Sequence, residues 1–168
     1  MCKISASQIA VDGQAIGTAL LDVAGLLKAT DPSLATQLTA VANALIQVTS
    51  TWTSGSNVAI LQDVENAVIA VLNLIPVTSP FAPFVAIAFA ALNLLIANTQ
   101  TQSQQTGDAV HDAHLLLTKA ANLNTDSPWF GKAKIGHHWM RAPRKDFEAA
   151  WNSAVDANPS LGVKKLTV

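Results

Sequence analysis

Apolar residues recur along the first hundred positions at intervals of three and four, the period of a helix that buries one face. In the first run, from Ile4 to Lys28, the residues Ile9, Ile16, Leu20, Val23 and Leu27 fall on one side. Gly13, Gly17 and Gly25 each weaken such a helix by about 1 kcal/mol relative to Ala. That cost is offset where a small residue lets a neighbouring helix come close. "TDPS" punctuates the pattern: Thr30 or Asp31 can cap a second helix that has Pro32 in its first turn, where a missing N–H does no harm.

The second run, Pro32 to Thr53, has the most regular seam: Leu34, Leu38, Val41, Leu45, Val48 and Trp52. A third, capped by Ser56 or Asn57 and reaching about Ile75, repeats it with Leu61, Val64, Val68, Val71 and Ile75. "IPVTSPFAPF" then breaks the helical pattern, since each Pro lacks a backbone donor and resists helix continuation. A fourth helix is predicted from about Pro83 to Asn98. A fifth, from Asp108 to Asn122, places Val110, Leu117 and Ala121 on one side. Near the end, Pro143 opens a short helix in which Phe147, Trp151 and Val155 recur every four residues, and Pro159 closes it.

No run of alternating β-branched residues is long enough to argue for a sheet. The fold class expected is therefore all-α: an antiparallel bundle of four to five helices, with a Trp-anchored C-terminal segment ending in a short helix. The short connections favour antiparallel neighbours. Residues 1–125 form the bundle in this reading, and the basic, Trp-rich residues 126–168 pack on it.

The stretch PFAPFVAIAFAALNLLIA, Pro80 to Ala97, poses a choice between a bundle core and a lipid bilayer. A membrane span needs about 20 apolar residues, whereas shorter runs belong more often to core helices. After Pro83 the run is too short and already contains Asn93. Amides at Asn66, Asn73 and Asn93 are costly in lipid, and no Lys or Arg cluster flanks the segment. Against this, no charged residue occurs between Glu65 and Asp108. The expected answer is a buried central hairpin. The rival is a hairpin over residues 58–97 that inserts in a membrane.

Composition sharpens the picture. Charged residues make up only 12% of the 168-residue chain, about half the usual share. The surface must therefore be covered by Ser, Thr, Asn and Gln, or be left apolar for a partner. Residues 1–107 hold two basic and five acidic side chains, and residues 108–168 hold eight and six. The net charge of −1 thus conceals a C-terminal concentration of charge. A single cysteine rules out an intramolecular disulfide. Cys2 is a lipidation candidate by its position, although no charged and apolar leader precedes it.

Two groups carry candidate chemistry. In "DAVHDAH", Asp108, His111 and Asp112 share a helix face, and His111 and His114 lie three apart. Two or three of Asp108, His111 and His114 could therefore reach one metal ion, and His137 or His138 could complete the set. Neither HExxH nor the paired Glu-x-x-His segments of di-iron bundles is present, so the expected reading is a solvated polar face without a metal. In the C-terminal segment, Lys132, Lys134, Arg141, Arg144 and Lys145 interleave with Trp129, Phe130, Trp139 and Phe147. Such a mixture suits a protein or membrane surface. A pI near 6.4 argues against general nucleic-acid binding. The interaction candidates are Lys132, Lys134, Trp139, Arg141, Arg144 and Lys145. Trp129, Trp139 and Trp151 are also expected to pin the segment to the bundle.

GxSxG, GxGxxG and GxxxxGK[ST] are all missing from the sequence, and no catalytic residue or cofactor is assigned. The expected function is non-enzymatic: a structural or interaction module of a bacterial or phage particle or envelope, meeting a protein partner or itself. The alternative is a membrane-active, holin-like protein.

Overall fold

Caps and prolines set where the helices begin. The computed structural model describes residues 5–53, 56, 58–76, 78–99 and 143–167. Among these residues five α-helices and no strand occur: α1 Ala6–Leu27, α2 Pro32–Ser50, α3 Val58–Leu74, α4 Ala82–Thr99 and α5 Pro143–Ala157. A 3-10 turn, Pro159–Leu161, follows α5. Ser5 caps α1, its hydroxyl accepting from the Gln8 N–H at 3.1 Å. Asp31 caps α2, its carboxylate accepting from the Leu34 N–H at 2.9 Å. Each bond satisfies one of the donors that a helix start leaves without an intrahelical partner.

The architecture is an all-α antiparallel bundle with a Trp-anchored C-terminal helix. The predicted helix from Asp108 to Asn122 lies outside the described residues, so α5 is the short C-terminal helix that opens at Pro143. In α1, all five predicted face residues are buried, and so are the five apolar positions predicted for the third helix. In α2 the buried face drifts. Leu34, Leu38, Val41 and Leu45 are buried as expected, but Thr49 is fully covered while Val48 and Trp52 are only partly so. The cause lies opposite: a Cβ on Gly13 would collide with the Thr49 side chain, so this glycine makes the space that Thr49 fills.

Gly17 has the same role one turn on. A Cβ there would overlap the Ile46 side chain and lie 3.1 Å from the Ala42 carbonyl oxygen. The α1–α2 contact thus depends on close backbone approach at two of the three glycines. Gly25 is exposed and faces open space, so it contributes nothing to this contact.

The apolar stretch at Pro80 finds its cover within the chain. α4 packs against α1, α3 and α5. Phe84, Val85, Ile87, Ala88, Ala90, Ala91, Leu92, Leu95 and Ile96 are buried on it, nearly all round the helix. A helix apolar on every side belongs in a core or a bilayer, and here it lies in the core. Phe89 is only partly buried. Each large side chain so covered stabilises the fold by roughly 1.5–3 kcal/mol.

Helix α5 completes the core. Phe147, Ala150 and Trp151 are buried, and Trp151 meets Phe84 of α4 edge-on, with ring centroids 5.1 Å apart and planes at 67°. Phe147 lies against the same indole at 5.6 Å. Gly162, at φ 75°, then turns the chain in the left-handed region that suits a residue without Cβ.

Candidate functional site

The sequence singled out residues that mostly fall outside the described ones. Cys2, Asp108, His111, His114, Trp129, Lys132, Lys134, His137, His138, Trp139 and Arg141 all do. Arg144 and Lys145 lie in the first turn of α5, of which the backbone is described. Among the described residues, no group of three His, Cys, Asp or Glu side chains is placed to hold a metal ion.

The described polar chemistry is concentrated around the last six described residues, 162–167, which run as a strap without regular secondary structure and are tied to α5 and α1. Two backbone positions of the strap are tied down. The Lys164 N–H donates to Asp22 Oδ2 of α1 at 3.0 Å, and the Lys164 carbonyl accepts from Trp151 Nε1 at 2.9 Å. The Asn152 amide grips Leu166 from both sides: its nitrogen donates to the Leu166 carbonyl at 2.9 Å, and its oxygen accepts from the Leu166 N–H at 2.8 Å. The strap also buries Val163, and a Lys165–Asp156 ion pair at 2.7 Å sits exposed above it. An exposed pair of this kind contributes little, about 0–1 kcal/mol.

Beside the strap lies an open groove of about 840 Å³. Its floor is the outer side of α1, including Val11, Ala15, Thr18 and Leu21, and its rim includes Asp22, Glu148, Lys164 and Lys165. Small and uncharged side chains dominate the floor.

Three acids are buried or half-buried, of which Asp12 and Glu148 were not singled out from the sequence. Asp12 is buried on α1 and accepts from Gln8 Nε2 at 2.8 Å. Glu148 is buried on α5 at the edge of the groove. Spacing carried a signal for both: Asp12 lies three residues after Ile9 and four before Ile16, and Glu148 lies three before Trp151. Glu65 of α3 is half-buried in the α3–α4 hairpin. Burial pushes its carboxyl above the ordinary value of 4.5, and a hydrogen bond with the Asn93 side chain partly opposes the rise. Asn93 in turn donates to the Phe89 carbonyl at 3.1 Å. The amide that argued against a lipid setting thus serves as polar contact between two apolar helices.

Compared with protein-family models, with curated proteins and with solved structures, the chain matches none.

Proposed function

We propose that this protein is a non-enzymatic structural or interaction module, built to meet a protein partner or a second copy of itself, in a bacterial or phage particle or envelope. The observation that supports this most is the outer face of α2. Its exposed residues Ser33, Thr36, Gln37, Ala40, Asn43, Gln47 and Ser50 include no charge, and the whole 19-residue helix has none.

Charge on a surface keeps copies apart, and a face without it lacks that protection. The hydroxyls lower the barrier further by turning back onto their own helix. Thr36 donates to the Pro32 carbonyl at 2.8 Å and Ser50 to the Gln47 carbonyl at 2.9 Å. A polar group already bonded within the helix loses less on leaving water. Sedimentation of the full chain should reveal concentration-dependent species heavier than 17.6 kDa. A double Ala40→Lys, Asn43→Lys variant should melt unchanged to within about 0.5 kcal/mol, as a surface substitution does, yet lose that association. A wild-type chain that stays monomeric at every concentration, and from which a photo-activatable group at Gln47 captures no discrete species, overturns the proposal.

The membrane-active reading draws support from a different observation. By length and composition the 22-residue α1 is apolar enough to cross a bilayer, although half of its most apolar stretch is buried. On α3, Ile60, Ile69 and Leu74 are exposed, Leu74 at 58%. The inserted hairpin over residues 58–97 would have to draw Phe84, Ile87 and Leu92 out of the core described above. Flotation with vesicles of mixed anionic and zwitterionic lipid separates the two readings. Salt-resistant flotation favours insertion, and a chain left at the bottom of the gradient favours the interaction module.

A further inference from the structure

We draw no further inference here: the strongest candidate, the open groove of about 840 Å³ between the outer side of α1 and the C-terminal strap, carries nothing because its rim balances Asp22 and Glu148 against Lys164 and Lys165, and nothing in the structure shows what fills it.

Discussion

The α1–α2 contact and the α4–α5 contact solve the same problem by opposite means. Neither α1 nor α2 contains an aromatic residue, and at Gly13 and Gly17 their surfaces meet with no room for a methyl group. Between α4 and α5 the contact is made by large rings, those of Phe84, Phe147 and Trp151. The two contacts fail in opposite directions. The glycine contact is vulnerable to added atoms and the ring contact to removed ones.

Removing the indole should give the largest effect. Trp151→Ala deletes the ring that joins Phe84 to Phe147 and leaves the Lys164 carbonyl without its donor. A large aromatic truncation costs about 3–5 kcal/mol, much of the stability of an ordinary domain. Denaturant unfolding followed by circular dichroism should register that loss. A cost below about 1 kcal/mol would mean that α5 is not part of the cooperative core.

The opposite failure comes from adding one methyl group. Gly17→Ala gains about 1 kcal/mol in helix propensity, yet its Cβ runs into Ile46 and approaches the immovable Ala42 carbonyl. Overpacking typically costs about 1–3 kcal/mol, so a net loss is expected. Gly25→Ala makes the same chemical change in open space and should stabilise by about 0.5–1 kcal/mol. Thermal melts of the two variants should therefore move in opposite directions. Equal shifts of one sign would show that close approach is not what Gly17 provides.

These contrasts also show what was readable in the sequence. The period of three and four identified α1 to α3 and most of their buried faces, because an apolar stripe has one low-energy fate in water, whereas α4 was legible from its prolines and its unbroken apolar run. The period identified α5 equally well, from Phe147, Trp151 and two prolines. It failed at Thr49, since burying a hydroxyl depends on a glycine 36 residues earlier and on a bond back to the Leu45 carbonyl. It could not foresee the strap either. Asp22 and Lys164 lie 142 residues apart, and a single hydrogen bond from the Lys164 N–H to the Asp22 carboxylate leaves no periodic trace. Position 152 reads as a helix-surface Asn until its partner's backbone is placed. The candidate metal and basic residues came from local spacing alone, and apart from Arg144 and Lys145 in the first turn of α5 they lie outside the described residues.

The strap links the two contacts, reaching Asp22 on α1 and both Trp151 and Asn152 on α5. Asn152→Ala removes both bonds to Leu166 and should cost about 1 kcal/mol, because the freed backbone groups can turn to water. Amide hydrogen exchange at Leu166 should accelerate strongly, while exchange within α1 and α4 stays slow. Acceleration spreading into α1 would instead make the strap a necessary tie between the two halves of the core.

A third kind of contact, neither glycine nor ring, lies in the α3–α4 hairpin, and its signature is a dependence on pH. Folding raises the Glu65 pKa through burial, so the folded chain holds this proton more tightly than the unfolded one. The stability associated with the neutral carboxyl is fully present below the unfolded value near 4.5 and is lost as pH rises through the folded pKa. Above the folded pKa the charged carboxylate therefore works against the fold. Glu65→Gln keeps a hydrogen-bonding group for Asn93 and removes the charge. It should raise the melting temperature at pH 7 by the smallest of these effects, and the gain should shrink as wild type and variant are compared at progressively lower pH. A variant less stable than wild type at pH 7 would mean that the carboxylate is stabilised by a partner, and that the Asn93 bond outweighs the cost of burying the charge.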